Sequence, residues 1–215
     1  IRIRGVRSLR GCSHTVIPDR LIAGAFLMAP GMCGGSVTVQ DVIPEHLQSC
    51  LAKLREIGLA VDIGDNSITS SCDGKLKAVR VRTGMYPGFA TDLQQPLTAL
   101  LTRASGRSIV GERIYPHRFS HVKQLQKMGA NIRARSGVAL VSGPSKLRGA
   151  LVHASDIRAG ICLILAGLAA EGRTLISGVQ HLERGYENVA EAFRSIGANL
   201  TYRSLHEEDE AMLYG

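Results

Sequence analysis

Residues 91–110, TDLQQPLTALLTRASGRSIV, carry the reading on which the fold turns. Thr91-Asp92 suits a helix start, Leu93, Leu97, Leu100 and Leu101 recur at helical spacing, Gly106 breaks the helix, and Ser108-Ile109-Val110 reads as a strand. Residues 117–128 then predict a second helix, Gly129 ends it, and Asn131-Ile132-Arg133 is a returning strand.

The same order is written on either side. Upstream, Asp19-Arg20 opens an apolar helical stretch, Gly34-Gly35 stops it, and Ser36-Val37-Thr38-Val39 is a strand. Pro44-Glu45 starts a second helix whose Leu47, Leu51 and Leu54 share a face, before Gly58 and a strand over residues 59–63. Downstream, Asp156-Ile157-Arg158 opens an apolar helix running to Ala170, Gly172 stops it, and Thr174-Leu175-Ile176 is a strand. Residues 186–196 form its second helix, and Gly197-Ala198-Asn199-Leu200 closes it as Gly129-Ala130-Asn131-Ile132 closed the previous copy.

Landmarks at Asp19, Asp92 and Asp156 set a period of roughly seventy residues, so the chain predicts three related α/β units packed as one domain. The first helix of each is apolar nearly all round and belongs inside; the second helices are amphipathic and belong nearer the surface, with the sheets outside. Residues 1–17 read as two short strands outside the repeats, and residues 204–215, with Glu207-Glu208-Asp209-Glu210, as an acidic tail. The opening Ile-Arg-Ile-Arg-Gly lacks an initiator methionine and a secretory pattern, and reads as a piece of something longer.

Composition narrows the function. With 215 residues, 45% hydrophobic and 20% charged, the chain can bury a substantial core. Its longest apolar run, residues 161–170, is half of what a membrane span needs. Cys12, Cys33, Cys50, Cys72 and Cys162 form no CxxC pair and no cluster of zinc-ligand spacing, which speaks against a disulfide framework or a metal site and for a reducing cytoplasm. A net charge of +8 admits nucleic acid, but the arginines are dispersed, and four Phe and five Tyr offer little for base stacking; an anionic small molecule fits better. No Gly-x-Gly-x-x-Gly or Walker loop is present to cradle a nucleotide.

Asp92 stands at a helix start, where a carboxylate either caps backbone N–H groups or is presented to a ligand. Arg20, Arg118, Arg158 and Arg184 fall at turns or helix starts, suited to bidentate binding of phosphate or carboxylate, or to ion pairs with the repeated aspartates. His117 and His121 are four apart on the predicted helix, but no third metal ligand is evident.

The segment Tyr86-Pro87-Gly88-Phe89-Ala90-Thr91-Asp92-Leu93-Gln94 resembles the general-base segment of the UDP-N-acetylglucosamine enolpyruvyl transferase family, with Ala-Thr-Asp for the usual Pro-Thr-Asp. It is joined in family order by Pro18-Asp19-Arg20, Arg118-Phe119-x-His121-Val122, Met128-Gly129-Ala130, Ser155-Asp156-Ile157-Arg158-Ala159 and residues 181–187, HLERGYE. The similarity covers residues 1–203 and implies an α/β fold in which two domains, each of three βαβαββ units arranged as an inside-out α/β barrel, close over the substrates. Residues 18–203 would be one such domain and residues 1–17 the end of the other.

The activity the resemblance implies is transfer of the enolpyruvyl group of phosphoenolpyruvate to the 3-hydroxyl of UDP-N-acetylglucosamine, in the cytoplasm, as the first committed step of peptidoglycan synthesis. No cofactor, metal, nucleic acid or membrane is implied. Asp92 would take the proton of the sugar hydroxyl, Ile114 would contact the UDP-sugar through its backbone, and Arg158 and Arg184 would face phosphoenolpyruvate. Arg118 would join them in the closed cleft, with Asp156 beside them and Asp19 near it. The reactive cysteine, a Lys-Asn pair and further arginines of the family belong to the amino-terminal domain, which this sequence lacks; the chain alone is expected to be inactive. Two family acids are replaced, by Ile22 and Pro116. A transferase with another acceptor, of the shikimate-phosphate type, and a non-catalytic binding paralogue are the alternatives.

Overall fold

Residues 91–110 fold as two elements joined by a tight turn. A 3-10 turn, Thr91–Leu93, leads into a helix, Gln94–Leu101, which is wholly buried, and a strand follows at Gly106–Gly111. The structure, a computed structural model, describes residues 2–203. In chain order its helices are α1 (Arg20–Leu27), α2 (Ala29–Cys33), α3 (Gln48–Ile57), α4 (Gln94–Leu101), α5 (Ser120–Lys127), α6 (Ile157–Leu168) and α7 (Val189–Ser195). The strands are β1 (Gly35–Gln40), β2 (Ala60–Ile63), β3 (Ser67–Cys72), β4 (Arg80–Arg82), β5 (Gly106–Gly111), β6 (Asn131–Arg135), β7 (Val138–Gly143), β8 (Leu151–His153) and β9 (Leu175–Ser177).

These strands make three sheets with a shared logic. The four-stranded sheet has the order β4-β5-β7-β6: β4 lies parallel to β5 as the ends of a crossover through α4, whereas β7 enters antiparallel between β5 and β6. The first sheet repeats the antiparallel part, β1-β3-β2, and the last the parallel part, β8-β9. In both antiparallel sheets the strand returning from the second helix reaches the sheet through its hairpin partner. The returning strand expected at residues 197–200 does not form, because no such partner strand exists among the described residues to offer it a ladder.

The strands expected in residues 1–17 are likewise not found: residues 2–17 are exposed, and their backbone makes no hydrogen bond to other described residues, without which extended chain has no reason to hold its shape. The acidic tail falls outside the described residues. Strands β3, β4, β7 and β8 were not assigned to particular residues from the sequence pattern; two of them are three residues long, and β3, SITSSC, is too polar to show an alternating pattern.

Helices α2, α4 and α6 pack on one another, and α6 is buried continuously from Ala159 to Ala166. One apolar core joins Leu27 at the end of α1, Met28 just after it, Leu97 and Leu100 of α4, and Leu163 and Leu165 of α6 to Ile68, Val110 and Val141 from the sheets. Each such side chain removed from water contributes about 1.5–3 kcal/mol. Among the described residues no helix is long and apolar enough to cross a membrane.

Candidate active site

The packing of α4 along α6 sets their amino-terminal ends together, and α1 comes to the same place because Gly24 has no side chain. A Cβ there would stand 2.8 Å from Leu93 Cδ1. Each of the three helix starts carries one of the repeated aspartates, and the structure gives them different work. Asp19 caps α1, accepting from the Leu21 N–H at 2.7 Å. Asp156 caps α6, accepting from the N–H groups of Arg158 and Ala159 at 2.8 and 3.0 Å. Asp92 lies one turn before α4, inside the 3-10 turn, and caps nothing.

The Asp92 carboxylate is taken up by two guanidinium groups. Arg118 Nη1 donates to Oδ1 at 2.5 Å, and Arg158 donates to Oδ2 through Nε at 3.1 Å and Nη2 at 2.9 Å. The three side chains are 28%, 23% and 16% exposed, so they are half-sunk and open to a ligand. Burial pushes the Asp92 pKa up, but the hydrogen bond from Arg118 and the charges of Arg158 and Arg118 outweigh it and hold the carboxyl below its ordinary value. Arg118 approaches from the loop before α5 and sits over the Tyr115 ring, 5.3 Å from its centre. Ser120 and Ser155, whose hydroxyls are 2.9 Å apart, tie the start of α5 to the loop before α6.

The remaining predicted residues surround this group unevenly. The Ile114 N–H is committed to Glu112 at 2.8 Å, which leaves its carbonyl as the backbone group a ligand could engage. Arg184 ends a 3-10 turn, Val179–Arg184; it is exposed and makes no hydrogen bond or ion pair with a described residue, so the structure does not bring it to Asp92 by contact. Its neighbour Gly185 lies against Ile157 in the first turn of α6. Tyr186 is buried there, and burial pushes its phenol up while the charges of Arg158 and Asp19 pull it in opposite directions. A depression of about 490 Å³, lined by Pro18, Asp19, Arg20, His46 and Tyr86 among others, adjoins the α1 start without including the Asp92 group; Arg20 lies over the Tyr86 ring at 4.9 Å.

Glu112 was not anticipated. It follows β5, is 3% exposed, and its carboxylate gathers the Thr83 and Thr91 hydroxyls and the N–H groups of Ile114 and Tyr115. The only signal in the sequence is an acid in Gly-Glu-Arg at a strand end, which reads as a solvated turn. Of the two missing acids, Ile22 packs against the core and Pro116 is exposed. His117 is exposed before α5 whereas His121 is buried within it, so they do not share a helix face. No group of three or more metal-ligating side chains occurs among the described residues.

Comparison with known proteins gives a consistent result. The family model for EPSP synthase (3-phosphoshikimate 1-carboxyvinyltransferase) matches residues 1–193. UDP-N-acetylglucosamine 1-carboxyvinyltransferase 2 of Geobacillus kaustophilus is 50% identical over 209 residues, 97% of this chain and 49% of the relative. UDP-N-acetylglucosamine 1-carboxyvinyltransferase of Clostridium botulinum is 50% identical over 200 residues, 93% of this chain and 48% of the relative. The chain thus spans about half the length of the curated relatives it matches. Among solved structures, the enolpyruvyl transferase NikO from Streptomyces tendae superposes with a TM-score of 0.79 at 28% identity, over 86% of this chain and 44% of that one. EPSP synthase from Acinetobacter baumannii gives 0.66 at 18% identity, over 89% and 45%, a likeness of fold.

Proposed function

The chain belongs to the EPSP synthase (3-phosphoshikimate 1-carboxyvinyltransferase) family, and from that membership we propose that it forms one wall of an enolpyruvyl transferase active site. The reaction is transfer of the enolpyruvyl group of phosphoenolpyruvate to the 3-hydroxyl of UDP-N-acetylglucosamine, in the cytoplasm, for peptidoglycan synthesis. Residues 18–203 act as one domain of three βαβαββ units with helices inside and sheets outside, an inside-out α/β barrel. Residues 1–17 complete a second domain that supplies the other charged groups of the cleft.

The observation that carries the reading is the Asp92 carboxylate held between Arg118 and Arg158 instead of capping its helix. Two guanidinium groups share one carboxylate, and the positive charge left over is a ready receptor for another anion. When phosphoenolpyruvate draws Arg118 and Arg158 to its carboxylate and phosphate, Asp92 loses the partners that depress its pKa, and its burial turns it into a competent base. Asp92 then accepts the proton of the sugar hydroxyl as that oxygen bonds to C2 of phosphoenolpyruvate, while C3 gains a separate proton from an acid supplied by the other domain. Loss of phosphate and of a C3 proton from the tetrahedral adduct restores the double bond. Arg158, Arg184 and Arg118 stabilise charge on the phosphate, Asp156 and Asp19 hold the helix starts, and the Ile114 carbonyl contacts the sugar nucleotide.

The test is phosphate release by the full-length protein with both substrates. Asp92→Asn should lower turnover by about 10²–10⁴-fold, the worth of a positioned base. Release that ignores UDP-N-acetylglucosamine and responds to shikimate 3-phosphate would reassign the acceptor; no release with either would leave a binding paralogue.

A further inference from the structure

We propose that Glu112 is a positioning residue that sets Arg118 against Asp92 through the hydroxyl of Thr91. The argument rests on which way each proton must point. A guanidinium only donates, so Arg118 Nη1, 3.1 Å from Thr91 Oγ1, makes that hydroxyl an acceptor and sends its single proton onward. The onward partner is Glu112 Oε2, at 2.9 Å. On the other side the Arg113 N–H donates to Thr83 Oγ1 at 2.8 Å, and Thr83 sends its proton to Glu112 Oε1 at 2.6 Å. The Ile114 and Tyr115 N–H groups donate to the same oxygen at 2.8 and 3.0 Å.

Four donors therefore converge on two oxygens, and both oxygens must accept. A carboxylate meets that demand, whereas an amide would turn N–H groups toward hydroxyls already committed as donors. Glu112 is also held from behind: its own N–H bonds the Gly137 carbonyl at 2.8 Å, and the Thr83 N–H bonds the Gly111 carbonyl at 2.9 Å. The charge is buried at 3% exposure with no ion-pair partner among the described residues, an expensive arrangement in a fold that elsewhere leaves its acids at the surface or the cleft. What the arrangement delivers is direction. Thr91 fixes one N–H of Arg118, Asp92 is its next neighbour in sequence, and the guanidinium is seated before any ligand arrives.

The kinetic part of the test rests on the transferase reading above; the spectroscopic part does not. In full-length protein labelled with ¹⁵N-arginine, the Arg118 Nε–H resonance is assigned by its loss in Arg118→Lys. It should move in Thr91→Val and in Glu112→Gln and stay in place in Thr91→Ser, which keeps the hydroxyl. Turnover should fall on the order of tenfold in Thr91→Val and recover in Thr91→Ser, and the losses in Glu112→Gln and Arg118→Lys should be less than multiplicative in the double variant, as for residues acting in series. If Glu112→Gln fails to fold, Thr91→Val, which leaves the carboxylate in place, decides the matter. An Arg118 resonance unmoved by Thr91→Val overturns the proposal, as does full turnover in that variant. Wild-type protein without phosphate release would instead overturn the transferase reading and leave the resonance to decide this one.

Discussion

Three aspartates with the same place in a repeating pattern end in two different kinds of structure. Asp19 and Asp156 spend a carboxylate oxygen on the first N–H groups of an α-helix; Asp92 lies inside a 3-10 turn and keeps both oxygens for arginines. Spacing in the sequence located all three helix starts but could not tell which turn would open as 3-10, so the capping aspartates and the arginine-paired one looked alike. Glu112 was illegible for a related reason: its burial comes from Thr83 and Thr91 returning across the sheet, a tertiary fact with no local trace. The clamp on Asp92 also sets a pH signature. Its folded pKa is depressed, so the pairing stabilises the fold above the unfolded value near 4 and that stabilisation is lost as pH falls through the lower folded value. Asp92→Asn should cost about 1 kcal/mol at pH 7, discounted for partial exposure, and the gap to wild type should close toward pH 3. Urea denaturation at the two pH values checks this; an equal gap at both would contradict it.

At the scale of the element, α5 and α6 show how far a helical pattern carries. The helix predicted from residue 117 begins at Ser120, and the shift separates His117, in water, from His121, which is fully buried. Burial pushes the His121 pKa down to about 3, opposed by Asp156 and assisted by Arg118. A histidine whose folded value lies below its unfolded 6.5 binds more protons when unfolded, so stability is complete above pH 6.5 and declines as pH falls from there toward 3. His121→Met should remove that part of the acid destabilisation, which thermal melts at pH 7 and pH 4.5 would register as a smaller difference than in wild type. An unchanged difference would mean the acid loss comes from elsewhere. In α6, Gly160 admits Leu182, and a methyl there would stand 2.7 Å from Leu182 Cδ2. Despite its better helix propensity, Gly160→Ala should destabilise by about 1–3 kcal/mol, read from the urea midpoint; a stabilised variant would show that Leu182 can swing away.

Seen whole, the described residues form three sheets and a set of packed helices, and the burial of two of those helices was legible: α4 and α6 are as buried as their leucine-rich sequences demand. The edges of the sheets were harder to read. β4 and β8 are too short for a pattern, and the returning strand at residues 197–200 needs a neighbour that only pairing, not propensity, can provide. The chain spans about half of its curated relatives, and a site needing charge from both walls should be weak with one. Isothermal titration of the 215-residue chain with UDP-N-acetylglucosamine should give no binding in the micromolar range; micromolar affinity would mean that this wall holds the sugar nucleotide unaided.

The bonds between Asp92 and Arg158 span two helices whose flanks lie against each other in the core. They work as a caliper: a slide of α4 along α6 by a single ångström, arising from a repacked leucine far below, would open its jaws at the surface. Variants chosen deep in that seam, remote from every charged group, would then register as losses of chemistry before they registered as losses of folding.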